Sequence, residues 1–413
     1  MFGIDSCCTY SVLNPEPSLF MRQSVSYRFA RSLIYSVLAA LAIQAQTGSN
    51  NNHDAELRKL YELAQNYERS GDWGAAERTW KQAVAVQPSD ARAWANLGVA
   101  FSKQDKTTEA IDAWTRAVGI DPKLSGAYFN LGVTYFRAAK YADAIMSLRH
   151  AIDVDPANIR ARQLLSLSLI AVERFQEAVD QLEILYAQMH REEPILLALG
   201  QSYLRLKSYD KAVARLEELT RVSPGSAQAH LLLGEALDNA SESERAIPEF
   251  RRAIKIDPRL PEGHYALGYA LLKRGELDEA AQRFAEELQI NPGMTLALFH
   301  LGKINLNRGR VAEAVAMLEK AIEATPDFRP ALEALGQALL KKGDSARAVE
   351  VLERAVKLDT SWPDGHYLLG RAYVAAGKPD HARREFSIAQ RLSNEERKRI
   401  EEKVTGSKPR PKP

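Results

Sequence analysis

Several things are scarce in this sequence, and each scarcity closes off a class of protein. Only two of the 413 residues are cysteine, Cys7 and Cys8, so neither a disulfide framework nor a cysteine-based zinc cluster is available. An excess of one charge is also missing. The 55 basic and 53 acidic side chains leave a formal net charge of +2, which argues against a nucleic-acid binder driven by bulk charge. No apolar run reaches the ~20 residues needed to span a bilayer. The patterns G-x-x-x-x-G-K, G-x-G-x-x-G and H-E-x-x-H do not occur, and no carboxylate pair stands out as a general acid and base. What remains is an ordinary globular balance, 46% hydrophobic and 26% charged. That balance excludes a disordered chain, a collagen and a polytopic membrane protein. At roughly 150 residues per domain, the length alone suggests two to three domains.

Both cysteines precede Met21, which makes the better start. From there Arg22, Arg28 and Arg31 form a basic segment, and Ser32 to Ala45 is uncharged and mostly apolar. Ala40-Leu41-Ala42 and Ala45 offer small-residue cleavage sites. This layout predicts a secretory signal peptide over residues 1–45, with an uncleaved N-terminal membrane anchor as the rival reading. The expected location is exported, periplasmic or extracellular. Residues 46–56, QTGSNNNHDAE, are polar and aperiodic and read as a linker.

Prolines 88, 122 and 156 lie 34 residues apart, and the same frame meets Pro224, Pro258, Pro292 and Pro326. Ten 34-residue windows then run from Leu57 to Glu396 without insertion or deletion. Within a window, apolar positions 4, 7, 8 and 11 share one helical face, and so do 20, 24, 27 and 28. Each window therefore reads as two amphipathic helices, A and B. Glycine holds position 8 in eight windows, although glycine inside a helix costs about 1 kcal/mol relative to alanine. Its recurrence implies a close helix contact. Alanine holds position 20 throughout, and bulky residues such as Trp80, Trp114 and Phe250 stand at position 24. Position 27 is mostly alanine, as at Ala83 and Ala253. Proline at position 32 ends helix B. One pair cannot bury both of its faces, so pairs must stack.

These windows resemble the tetratricopeptide repeat. The resemblance covers residues 57–396 and implies an all-α fold, a right-handed α-solenoid or superhelix of tandem helix-turn-helix units. It also implies that helix A lines a concave groove, with positions 2, 5, 9, 12 and 13 facing in. Candidate groove residues are then Tyr61, Phe129, Tyr265, Phe299 and Tyr367 at position 5, Tyr269 at position 9 and Phe136 at position 12. A basic edge follows at position 13, from Arg69, Lys103, Arg137, Arg205, Lys273 and Lys341. An apolar stripe of this kind suits an extended peptide or an amphipathic helix. The carboxylate clamp of chaperone-binding members is missing, because its positions carry Tyr61 and Gln65, Ala95 and Val99, and Phe129 and Val133. The asparagine ladder of the O-linked N-acetylglucosamine transferases is matched only at Asn96 and Asn130.

Three exceptions to the pattern carry expectations. Window four, 159–192, has Ser166, Leu185 and His190 at its signature positions and predicts a longer helix B or a shifted next helix, with the least regular packing. Pro248 predicts a trimmed or kinked helix. Ser393-Asn394-Glu395-Glu396 reads as a capping box that starts a separate helix over 394–404, with Ile400 and Val404 covering the last repeat. Residues 405–413 read as a disordered basic tail. His230, His264 and His366 recur at position 4, where packing in place of an aromatic outweighs metal ligation.

The sequence thus points to an exported, non-enzymatic scaffold that binds a protein or peptide partner, in envelope assembly or secretion. The alternative is a substrate-recognition or regulatory subunit of a separately encoded enzyme, such as a glycosyltransferase or peptidase. No cofactor, metal or nucleic acid is expected, contact with a membrane arises only through an uncleaved anchor, and the oligomeric state is left open.

Overall fold

A computed structural model describes residues 53–189 and 192–405. The signal segment 1–45, most of the linker, His190 and the tail from 406 lie outside those residues. The described residues form twenty α-helices and no strand. They gather into two compact units, Met1–Ser168 and Leu169–Pro413.

In the first unit α1 (53–70) pairs with α2 (Trp73–Val86), α3 (Ala91–Ser102) with α4 (Thr107–Ile120), and α5 (Ser125–Arg137) with α6 (Tyr141–Val154). The helix α7 (Ile159–Ala171) spans the unit boundary. In the second unit α8 (Phe175–Gln188) is followed by the pairs α9 (Glu193–Arg205) and α10 (Tyr209–Val222), and α11 (Ala227–Asn239) and α12 (Ser243–Ile256). Next come α13 (Gly263–Lys273) with α14 (Leu277–Ile290), and α15 (Thr295–Asn307) with α16 (Val311–Ala324). The last pairs are α17 (Arg329–Lys342) with α18 (Ser345–Leu358), and α19 (Pro363–Ala375) with α20 (Pro379–Thr405). Odd helices are the A helices of the windows and even helices the B helices.

The recurring small residues sit where helices touch. Alanine 20 is buried in all ten windows, from Ala76 to Ala382. A Cβ added to Gly132 would meet Leu148 at 2.5 Å, and one added to Gly234 would meet Phe250 at the same distance. Position 8 of helix A is thus the seat of position 24 of helix B, which explains the glycine directly. Each B helix from α2 to α18 has 14 residues and stops at window position 30, two residues ahead of position 32. The chain enters helix B through a left-handed residue at position 15 in every window. Glycine supplies it five times, and Asp105, Ala139, Glu173, Lys207 and Ser241 supply it otherwise.

Four expectations need adjusting. The first helix begins at 53, so the last four residues of the stretch 46–56 are helical. Window four keeps the frame: α8 has the usual 14 residues and α9 starts on schedule at Glu193, so no B helix is lengthened there. The division between the two units does fall inside this window. Pro248 lies within α12 yet leaves it at 14 residues, because a single missing amide close to the helix start removes only one bond. The C-terminal cap does not form as read. α20 is one helix of 27 residues with Ser393 in its interior; α8 and α18 also lack proline at position 32 but meet Pro194 and Pro363 soon after, whereas no proline or glycine interrupts residues 380–405. Asn394 Oδ1 meets the side chains of Gln390 and Arg397. Ile400 is 56% exposed, so the extension does not cover the last repeat.

Candidate functional site

Helix periodicity decides which side chains share the A-helix face. Positions 2, 9 and 13 fall within about 40° of one another at 100° per residue, and positions 5 and 12 flank them on one side. In the second unit successive A helices approach one another, α9 with α11, α11 with α13, α15 with α17 and α17 with α19. Among the described residues no two successive B helices come as close. Spacing that is tighter on the A side bends such a stack around its A helices, so their free face is the inner one.

In the second unit this face carries connected rings. Tyr265 stacks on Tyr269 at 6.1 Å, and both lie against His300, at 6.2 and 5.5 Å. Phe284, fully buried on α14, stacks beneath His300 at 5.4 Å, and Phe299 joins at 5.1 Å. Burial, with Lys303 nearby, lowers the His300 imidazole to about 4, so it stays neutral at physiological pH. Burial pushes the Tyr265 hydroxyl up to about 12. Tyr269 remains 39% exposed, and Lys273 and Lys303 sit over Tyr269 and Phe299 at 5.6 Å each. Further along, Tyr367 is 53% exposed above Phe386.

The same face in the first unit is built differently. Tyr61 stands edge-on to Trp80 at 4.7 Å, and its hydroxyl donates to Asp90 at 2.7 Å. Burial and that carboxylate push the hydroxyl pKa up. Tyr61 is therefore a packing residue as much as a surface one. Phe129 and Phe136 are half-buried, with Phe136 edge-on to Tyr141. Between the helices lies an open hollow of about 470 Å3, lined by Tyr61 and Gln65 of α1, Arg92, Asn96 and Val99 of α3, and Asn130 of α5.

The expected basic edge divides along the same boundary. Arg69, Lys103 and Arg137 are exposed, and none has a carboxylate partner among the described residues; Lys103 rests over Trp73 at 5.7 Å. In the second unit the edge is occupied. Arg205 pairs with Glu173 at 3.6 Å, Lys273 with Asp238 at 2.5 Å, and Lys341 reaches the Leu306 carbonyl at 3.5 Å. The basic edge read from the sequence is thus unpaired in the first unit, whereas in the second Arg205 and Lys273 are ion-paired and exposed Lys341 meets only a neutral carbonyl. The reason is local: the acids that neutralise it stand at window position 15 or position 12 of the repeat before, outside the row itself.

Residues that the sequence reading passed over also matter. Arg92 and Arg160 hold position 2 on the same face and are exposed. Glu235 at position 9 of α11 is largely buried, and burial with Glu262 nearby raises its carboxyl to about 7. Glu287 stands at position 27, is buried, and its carboxylate accepts the Glu262 and Tyr265 amides at 3.1 and 3.2 Å. It thereby holds the N-terminus of α13, the positive end of the helix dipole. Periodicity could have flagged it, as an acid in an apolar column. The position-4 histidines are joints between windows. His230 Nε2 lies 3.1 Å from the Pro224 carbonyl and Nδ1 2.6 Å from Glu249, and His366 repeats this with Thr360 and Glu385. His264 Nε2 meets the Pro258 carbonyl at 3.0 Å, and Trp94 Nε1 donates to the Pro88 carbonyl in the same way.

A family model described as the cilia and flagella-associated protein 70 C-terminal domain matches residues 32–264, more than half of the chain. Two models described as tetratricopeptide repeat match residues 249–282 and 271–339. The chain belongs to the tetratricopeptide repeat family. A fourth model, for anaphase-promoting complex, cyclosome, subunit 3, matches residues 307–387. No curated protein sequence matches significantly. Solved structures that the chain resembles include Naa15/Naa10 bound to HypK, at 16% identity over 81% of this chain and 63% of that one, with a TM-score of 0.46. Another is pilF of Pseudomonas aeruginosa, at 22% identity over 48% of this chain and 91% of that one, TM-score 0.44. A third is MamA of Desulfovibrio magneticus RS-1, at 22% identity over 41% and 96%, TM-score 0.39. Tetratricopeptide repeat proteins bind protein partners, and the family is generally a non-catalytic scaffold.

Proposed function

We propose that the chain is an exported, non-enzymatic scaffold that binds a protein or peptide partner along the inner faces of its A helices, in envelope assembly or secretion. The observation that carries the binding role is the exposed aromatic surface of the second unit, Tyr269 and Tyr367, at positions that share one face of stacked helices. Aromatic side chains left open on a rigid face offer large contact area at little cost in conformational entropy. Export rests on Arg22, Arg28 and Arg31 ahead of the uncharged segment Ser32 to Ala45. Among the described residues no helix is long and apolar enough to cross a membrane.

Two experiments test the reading. A partner captured by crosslinking in the native cell should be released by Tyr269→Ala with Tyr367→Ala, and a partner that ignores both changes would sink the groove role. N-terminal sequencing of exported protein should begin at Ile43 or Gln46. Uncleaved protein confined to the cytosol would refute export.

A further inference from the structure

The first unit combines a hollow with exposed cations, Arg69, Arg92, Lys103, Arg137 and Arg160, that pair with no carboxylate among the described residues. The helices α3 and α5 contain no aspartate or glutamate, and neither does the part of α7 that belongs to this unit. Their charges are Arg92, Arg137, Arg160 and Arg162, with Lys103 closing α3. Arg162 is buried and reaches the Pro156 carbonyl, but Arg92, Arg137 and Arg160 are exposed. Arg69 adds a further cation from α1. The acids that border this face are largely engaged. Asp90 accepts the Tyr61 hydroxyl and the Arg92 and Ala93 amides, and Glu68 accepts the Trp80 indole at 2.8 Å. Glu62 on α1 remains exposed.

From this geometry we infer that the A-helix face of the first unit is a docking strip for an acidic, extended segment of a partner protein, held by Arg92 at the hollow and by Arg69, Lys103, Arg137 and Arg160 on the same face. The inference rests on the scaffold reading and deepens it. Cations stand at both ends of these A helices, Arg92 and Arg160 at position 2 and Arg69, Lys103 and Arg137 at position 13. A chain laid along the hollow between them meets positive charge on both sides. Asn96, Asn130 and Gln65 line the hollow and can bond to peptide groups, which contribute affinity without sequence preference. Exposed arginine forks suit carboxylates because they stay protonated and present paired N–H donors. The net charge of +2 conceals this strip, because the compensating acids are elsewhere on the chain.

The test is fluorescence anisotropy on the whole protein with a labelled peptide of alternating Glu and Ala. The peptide should bind, and added salt should weaken it. Arg69→Glu, Lys103→Glu and Arg137→Glu together should cost about tenfold or more in affinity, about 1.4 kcal/mol. Reversing three exposed lysines on the outer helices instead, Lys255, Lys320 and Lys357, should leave binding unchanged, which separates the strip from bulk charge. Circular dichroism verifies that the triple variants fold, and glutamine in place of glutamate at the three positions should give an intermediate loss. Equal loss from both triples would overturn the proposal. So would an oligothymidylate that binds more tightly than the peptide through the same residues. A cellular partner released by the Tyr269 and Tyr367 changes but indifferent to the strip reversal would also overturn it, while leaving the scaffold reading standing.

Discussion

The two units share one packing scheme but differ in the chemistry of their A-helix faces. In the first unit, position-8 glycines seat Trp114 and Leu148, and in the second they seat Leu216, Phe250 and Phe284 by the same rule. Yet the A-helix face of the first unit is basic and open, and that of the second is aromatic, with Arg205 and Lys273 paired to Glu173 and Asp238. Interior positions are fixed by close packing, where volume changes are penalised. Face positions are free to vary because no neighbouring helix constrains them. Recognition in an array of this kind is therefore written at positions that the fold does not need.

The largest test of that division removes the floor of the aromatic face. Phe284→Ala deletes a fully buried ring under Tyr265 and His300 and should cost about 3–5 kcal/mol of stability. Calorimetry would measure it, with local unfolding of the second unit read separately, since long arrays need not melt as one. A loss below about 1 kcal/mol would mean that the ring cluster is not the keystone of this face. Next in size, Gly132→Ala and Gly234→Ala should each cost about 2 kcal/mol from overpacking. Equal costs in the two units would support a common interior, and a harmless change in either would break it.

How much of this was legible beforehand follows the same line. The ten windows, the paired helices, the glycine seat and the proline stops were readable because they repeat, and each repetition is an independent vote. The chain's edges were less so. The capping box at Ser393 satisfied a local pattern, but with no proline or glycine anywhere in residues 380–405 helix propagation won. The site was legible in its residues and not in its pairings. Position 13 told that Lys273 faces inward, but not that Asp238 on the preceding A helix neutralises it. Glu235 and Glu287 stayed hidden because a count of apolar columns does not ask which acid is buried.

A smaller prediction sharpens the electrostatic difference. Glu235 has its carboxyl raised from 4.5 to about 7 by burial and by Glu262. A raised acid adds stability that is fully present below the unfolded value and is lost as pH rises through the folded one. The second unit should thus soften between about pH 5 and about pH 8. Glu235→Gln should remove that slope and raise the stability at the upper end by about 1 kcal/mol after allowance for solvent screening, read as a higher melting temperature there. An unchanged slope would place the cause elsewhere. Glu77 supplies the opposite case in the first unit. Burial alone would raise it, but hydrogen bonds from Lys106, Lys81 and Gln104 hold its carboxyl at about 2. Its contribution is present above the unfolded value near 4.5 and is lost only as pH falls toward about 2, so the first unit should show no matching softening near neutrality.

The smallest expected effect concerns the turn between helices A and B. Position 15 is left-handed in all ten windows, but glycine fills the last four, Gly275, Gly309, Gly343 and Gly377, whereas the first unit uses Gly71, Asp105 and Ala139. Ala139 at φ 55° has a Cβ where the left-handed region disfavours one, and no side-chain oxygen to bond locally in return. Glycine there relieves about 1 kcal/mol of strain but loses more entropy on folding, so Ala139→Gly should stabilise by only about 0.5 kcal/mol. The mirror change, Gly309→Ala at φ 75°, should destabilise by a similar amount. Paired melting curves would read both. Opposite signs would show that the turn obeys one rule in both units and that the glycine-poor turns of the first unit are tolerated strain. Like signs would mean that the turns differ in kind, and the contrast between the units would then extend from their faces into the scaffold itself.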